Sequence, residues 1–207
     1  MSRTIFMVEV ETTGVDIESD FLLEFAFLAL QWDEGADLWK PAGHITDVLP
    51  YAGEPETDFA KEHHLALYAE CNARFANQKS GHFGRGHILQ FFRRYSEDQR
   101  VKIVGWNCAG FDLPFLVDHK LLERPGYEGE KPTGDYHYRV YEMSGFIRGL
   151  ADIKNIQSHS IKNSASTLGL GTIEWAPECA KLGPHRALWD CYRQTEYLNG
   201  LILLGRP

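Results

Sequence analysis

Paired cysteines, long apolar runs and an excess of positive charge are all missing from this chain. Its four cysteines, Cys71, Cys108, Cys179 and Cys191, are scattered through 207 residues and form no C-x-x-C pair. That excludes a disulfide scaffold and a zinc ribbon, and fits free thiols in a reducing, cytoplasmic setting. No apolar run is long enough to cross a membrane. The N-terminus lacks a basic region followed by an apolar stretch and a cleavage site, so no secretory signal is expected. Formal net charge is −8, which argues against passive adhesion to nucleic acid as the main activity. It does not exclude a nucleic-acid enzyme whose bound metal ions face the phosphate. Histidines form no H-x-x-x-H pair, only the adjacent His63-His64, and zinc is correspondingly disfavoured.

What is present is enough apolar residue, 43%, for one α/β domain over residues 1–207 with a sizeable core. Thr4–Val8 is apolar and β-branched and reads as a buried strand. Glu9 and Glu11 follow at a spacing of two, so a strand projects both carboxylates from one face. Thr12-Thr13-Gly14 then turns the chain. Phe21–Leu30 is a second, nearly all-apolar strand carrying one charge, Glu24, which is expected to support a site rather than to bind a ligand itself. Trp39–Leu49 supplies a third strand, stopped by Pro50.

Pro55–Cys71 is predicted as one helix, with Phe59, His63, Leu67 and Cys71 at i, i+4 spacing. A polar stretch, Asn72–Gly86, is expected as loop; His82 and His87 with Lys79 and Arg85 could touch phosphate there, although such clusters are usually only solvated. His87–Tyr95 is a second helix and Val101–Val104 a short strand. The turn Gly105–Gly110 leads into a helix from Phe111, with Pro114 tolerated in its first turn. Asp112 thus falls where a strand hands over to a helix, a place where α/β sheets bind ligands, or where an Asp merely caps the helix. Residues 123–135 read as an inserted loop, Tyr136–Tyr141 as a strand, and Phe146–Ile156 and Ser164–Leu170 as helices. Gly171–Pro184 is a long connection to the last helix, Arg186–Leu204, with His185 at its start and Asp190 inside it.

Three points now stand in chain order: Glu9 with Glu11, Asp112, and His185 with Asp190. Carboxylates from separate elements plus a histidine are what a two-metal phosphodiesterase requires. The chain resembles the DEDDh, or DnaQ-like, 3′–5′ exonucleases, the superfamily of proofreading exonucleases and oligoribonuclease. Glu9-Val10-Glu11-Thr12-Thr13-Gly14 is similar to their first motif, Gly105-Trp106-Asn107 through Phe111-Asp112 to their second, and His185–Asp190 to the His-x-x-x-x-Asp third. Asn107-Cys108-Ala109-Gly110-Phe111-Asp112, the segment Tyr136–Ser144 and His185-Arg186-Ala187-Leu188 look like the oligoribonuclease branch; Thr12-Thr13-Gly14 looks like the proofreading relatives.

The resemblance implies an RNase H-like fold, a five-stranded mixed sheet of order 3-2-1-4-5 with helices on both faces. It implies two divalent cations, Mg²⁺ or Mn²⁺, held by Glu9, Glu11, Asp112 and Asp190, with His185 as general base. Thr12, with Thr13, Gly14 and Asn107, would meet the terminal nucleotide of a single-stranded DNA or short RNA 3′ end, and no membrane is implied. Oligoribonuclease-like relatives are homodimers. One residue departs from the pattern: the family has Asp where this chain has Glu9. An extra methylene moves that carboxylate outward by roughly an ångström, and a misplacement of about 1 Å can cost on the order of 10²-fold. The readings left open are full activity, preference for a larger ion such as Mn²⁺, and a weakened nucleic-acid-binding module of the same fold.

Overall fold

A computed structural model describes residues 3–77, 81–98, 100–129, 131–156, 165, 167–170 and 183–205. Its centre is a five-stranded mixed sheet in the order β3-β2-β1-β4-β7, the layout expected from the sequence. Strands β1 (Thr4–Thr12), β2 (Leu22–Asp33) and β3 (Leu38–Val48) form an antiparallel meander. Strand β4 (Ile103–Gly105) lies parallel to β1, and β7 (Tyr141–Glu142) parallel to β4. Residues Leu22–Leu30 of β2 are buried on both faces, which explains a run that is apolar but for Glu24.

Alternation along β1 divides the core. Phe6, Val8 and Val10 point to one face, where α3 (Arg85–Tyr95) and α4 (Asp112–Asp118) bury Ile88, Phe92, Leu113, Phe115 and Leu116. Phe92 packs on Phe6 with ring centroids 4.7 Å apart and meets Phe27 edge-on at 5.1 Å, an arrangement worth about 0.5–1.5 kcal/mol per pair beyond area burial. Ile5 and Met7 point to the other face, against α5 (Met143–Ile153) and the long C-terminal helix α6 (Ala187–Leu204). Glu9 and Glu11 share the parity of Met7, so both carboxylates emerge on the α6 side.

Several expectations change. The helix predicted over Pro55–Cys71 is two helices, α1 (Asp58–His63) and α2 (Leu65–Ala76), broken at His64. His64 leaves helical backbone geometry while its N–H still bonds Ala60 O, and its imidazole turns inward, 5% exposed. Phe59, expected in the apolar stripe, is 52% exposed instead. Helix α2 also runs on to Ala76, into the stretch read as loop. The 123–135 insertion is not wholly loop: it holds a hairpin, β5 (Gly126–Glu128) and β6 (Lys131–Thr133). Arg85 fastens this insertion to α3, donating to both Asp135 oxygens at 2.8 Å and to Glu123. Arg85 is thereby committed to carboxylates rather than offered to phosphate, and Lys79 lies outside the described residues. Of the strand expected over Tyr136–Tyr141, only Tyr141 pairs in β7, with an isolated bridge from Tyr136 to Val101. Of the helix expected over Ser164–Leu170, residues 165 and 167–170 are described, with Ala165, Leu168 and Leu170 buried in the α6-side core; the 171–182 connection lies outside the described residues, as does Cys179; Cys71, Cys108 and Cys191 are free and buried. Among the described residues no helix is long and apolar enough to cross a membrane.

Candidate active site

Strand β4 is three residues long and pairs only with Phe6 and Met7 of β1. It therefore stops short of Val10. The chain instead turns at Gly105–Phe111 and starts α4, whose first residue is Asp112. Asp112 does not cap its own helix through its side chain. Its Oδ1 accepts the Val10 N–H at 2.8 Å, across 102 residues of sequence. One buried carboxylate is thus locked to the backbone amide that separates Glu9 from Glu11. Asn107 enables the turn: its backbone has φ +61°, and its carbonyl accepts from Gly110 N and Phe111 N, both at 3.1 Å.

Helix α6 brings the third group. Glu24, 2% exposed on β2, accepts Arg186 Nε and Nη2, both at 2.9 Å, and the Ala187 N–H at 3.0 Å. Arg186 also reaches Glu70 of α2 at 3.3 Å. The single charge of the apolar strand therefore fixes the start of α6, directly after His185 and one turn before Asp190. Burial pushes the Glu24 carboxyl upward, and the paired Arg186 opposes that rise. His185 has φ +61°, a conformation uncommon outside glycine and stored preferentially at functional sites. Its ring lies 4.4 Å from that of His63 and meets Phe59 edge-on at 5.4 Å.

Glu9, Glu11, His185 and Asp190 line one cavity of about 370 Å³, together with Trp106, Trp189, Arg193, Gln194 and Tyr197. Asp112 sits beneath it, 1% exposed. Burial first, then the negative charges of Asp112, Asp190 and Glu11, drive the Glu9 carboxyl well above the usual carboxylate range. Asp112 is pushed up to about 8, mainly by burial, with the Val10 bond opposing. These four carboxylates repel one another in a desolvated setting, which is the electrostatic condition a bound cation relieves.

The donor chemistry fits a hard divalent cation: every carboxylate offers oxygen, and the set carries up to four negative charges. Gln194 adds an orphan, since its Oε1 is buried without a hydrogen-bond partner among the described residues, and that is costly unless a donor such as cation-held water is supplied. The side chains are not yet closed around a point. Among the described residues no three His, Cys, Asp or Glu side chains are grouped to hold an ion; each is turned to a protein partner. Glu9 accepts from Gln194 Nε2, Asp112 from Val10, and Glu11 Oε2 lies 3.2 Å from His64 Nε2, a close contact rather than a directed hydrogen bond.

The remaining expected residues lie beside the cavity rather than in it. Thr12 Oγ1 donates to Gly14 O at 2.5 Å, and Thr13 Oγ1 to Asp20 Oδ1 at 2.9 Å. Gly14 is close to the Asp20 carboxyl, which an added Cβ would meet at 2.4 Å. The motif is thus a tight turn at the end of β1. Sequence reasoning missed Gln194, Arg193, Trp189, Tyr197, Trp106 and His64. Counting three, four and seven residues from Asp190 along α6 finds Arg193, Gln194 and Tyr197 on its face. His64 had only its adjacency to His63 as a signal. No family model matches this chain, and no curated protein matches it in sequence.

Proposed function

We propose that this protein is a metal-dependent 3′–5′ exonuclease of the DEDDh type, acting on single-stranded DNA or short RNA and releasing nucleoside 5′-monophosphates. One observation carries the reading. Four carboxylates and a histidine from β1, the β4–α4 turn and the start of α6 gather at the C-terminal end of β1, around a cavity open to solvent. Burial, with neighbouring carboxylates adding to it, raises the Glu9 and Asp112 carboxyls, and such an acidic cluster is a poor structural device and a good cation trap.

In this reading Glu9, Glu11, Asp112 and Asp190 would be the residues that hold two divalent cations. When bound, the cations would supply charge neutralisation at the phosphate and ease deprotonation of water. His185 takes the proton of the attacking water as general base, a role worth about 10²–10⁴-fold. Glu24 and Arg186 hold the backbone from which His185 projects. The Val10 N–H orients the Asp112 carboxyl from strand β1.

The weakened binding module is the second reading, motivated by Glu9. Incubation with 5′-labelled single-stranded DNA and RNA of equal sequence, in Mg²⁺, Mn²⁺ or EDTA, separates the two. A metal-dependent ladder shortening from the 3′ end supports the exonuclease, and the faster strand names the substrate. Retained binding of the 3′ end with no ladder in either metal supports the module.

A further inference from the structure

A cation site asks for carboxylates; it does not ask for an imidazole packed behind one of them. His64 is such a group, and it lies outside the three stretches on which the resemblance rests. The residue is buried, and neither Nδ1 nor Nε2 has a hydrogen-bond partner among the described residues. Burying both polar atoms of the ring unpaired is costly, and an apolar side chain would fill the same space without that cost. Nε2 nevertheless stands 3.2 Å from Glu11 Oε2, with the two side chains 6% and 11% exposed. The contact is within reach of a hydrogen bond and shut off from bulk water.

The local chain is built to hold the ring there. Thr57 Oγ1 accepts from Ala60 N at 3.1 Å and starts α1. The His64 N–H then donates to Ala60 O at 2.8 Å, and its carbonyl accepts from Tyr68 N at 2.9 Å. One residue thus ends α1 and begins α2 with its backbone satisfied on both sides. Leu67, Tyr68 and Cys71 pack with Leu23 of β2 and Val48 of β3, and Cys71 Sγ donates to Leu23 O at 3.7 Å. The Phe59 ring meets the imidazole edge-on at 5.3 Å. Glu11 is equally fixed at its backbone, in register with Glu24 of β2.

We propose that His64 is a positioning residue for Glu11. With its proton on Nε2 it donates to Glu11 Oε2, fixes the carboxylate's orientation and leaves Oε1 for a divalent cation. Hydrogen bonds from a second layer of side chains orient metal-binding carboxylates in this way, and losing one costs about 10- to 100-fold in metal affinity or activity. The break between α1 and α2 then has a purpose that packing alone does not supply. The proposal rests on the cation reading of the site and not on bond cleavage.

The test is Mn²⁺ titration of the whole chain by calorimetry, with thermal melts in EDTA to show that each variant is folded. His64→Leu removes the donor and should weaken Mn²⁺ binding about 10- to 100-fold. His64→Gln and His64→Asn form a closer pair: both bury an amide, and they differ in reach. A glutamine amide extends to the place of Nε2, whereas asparagine stops near Nδ1. Glutamine should hold the affinity near that of the wild type, and asparagine should lose it as leucine does. A ring that only breaks the helix or fills space predicts no such split. Equal affinities for the glutamine and asparagine variants, or no change in the leucine variant, overturn the positioning role alone. A wild-type protein that binds no Mn²⁺ overturns it together with the cation site. Absence of 3′ shortening alongside the expected split removes the nuclease reading and upholds the positioning role.

Discussion

Glu24→Gln tests how the last helix is anchored. The glutamate accepts three hydrogen bonds, two from Arg186 and one from the Ala187 N–H. Glutamine keeps the shape but owns one acceptor oxygen. With that oxygen in the Oε2 position, Arg186 Nε and Ala187 N retain their partner, while the amide NH₂ confronts the Nη2 donor. Removing one member of a buried ion pair costs about 3–5 kcal/mol. Arg186 is 24% exposed and keeps Glu70, which favours the lower end, about 3 kcal/mol. For a chain of this size that lowers Tm by about 6–12 °C. A misplacement of about 1 Å at His185 would further cost on the order of 10²-fold in kcat. Denaturant melts give the stability, and single-turnover cleavage of a labelled strand gives the rate. A double-mutant cycle with Arg186→Met isolates the pair and should return a coupling of 1 kcal/mol or more, on the order seen for shared networks. A Tm loss under about 2 °C with near-zero coupling would refute the anchoring argument.

Other consequences follow from the same geometry. His185→Ala should lower kcat by about 10²–10⁴-fold while Mn²⁺ binding by calorimetry stays within a few-fold. Asp112→Asn should abolish cleavage yet raise Tm in EDTA at neutral pH, because the amide oxygen still accepts from Val10 and folding no longer has to protonate a carboxyl whose pKa is raised to about 8. The metal-free protein should lose stability as pH rises. Glu9 and Asp112 have folded pKa values above their unfolded ones, Asp112 about 8, so between about pH 4 and 8 the folded state binds more protons and Tm falls with pH; added Mn²⁺ should flatten or reverse that slope in a thermal-shift series.

The meander was legible because its chemistry is local. Phe21–Leu30 is too apolar for an exposed strand, and the Glu9/Glu11 alternation gives facing directly. The candidate site was legible as an order of residue types, because carboxylates at strand ends and helix starts are unusual enough to notice. Less local features escaped. No Pro or Gly marks the break at His64, since the turn is fixed by burial of an imidazole beside Glu11, a contact 53 residues away in sequence. The hairpin inside 123–135 was hidden by its glycines and prolines, which read as loop although Gly129 (φ +63°) provides its tight turn. Tyr136–Tyr141 has strand composition, but only its ends pair, through the Tyr136–Val101 bridge and Tyr141 in β7, while Tyr138 stacks on His137 at 4.6 Å and stays exposed. The aromatic and amide face of α6 was overshadowed by the apolar stripe of Ala187, Cys191 and Thr195, which does pack on the sheet.

In the proposed exonuclease Glu9 is the residue on which activity would turn, and Gln194 bears on it. The extra methylene carries the Glu9 carboxylate across to α6, where Gln194 Nε2 meets it one turn beyond Asp190. The length of the side chain and the presence of an amide donor thus belong together: an aspartate would fall short of Gln194. If this pair is how the chain accommodates glutamate in a working site, Glu9→Asp should not help. It would leave the Gln194 Nε2 unpaired beside an already orphaned Oε1, at a cost of about 1–3 kcal/mol, and should lower both Tm and kcat/KM. If instead the glutamate disables a site otherwise complete, Glu9→Asp should raise cleavage, and Glu9→Asp with Gln194→Ala should raise it further by removing the stranded amide. The two variants, assayed in Mg²⁺ and in Mn²⁺ on one labelled strand, therefore give opposite signs for the two accounts. The accommodation argument stands on a fall in activity and is lost on a rise of tenfold or more.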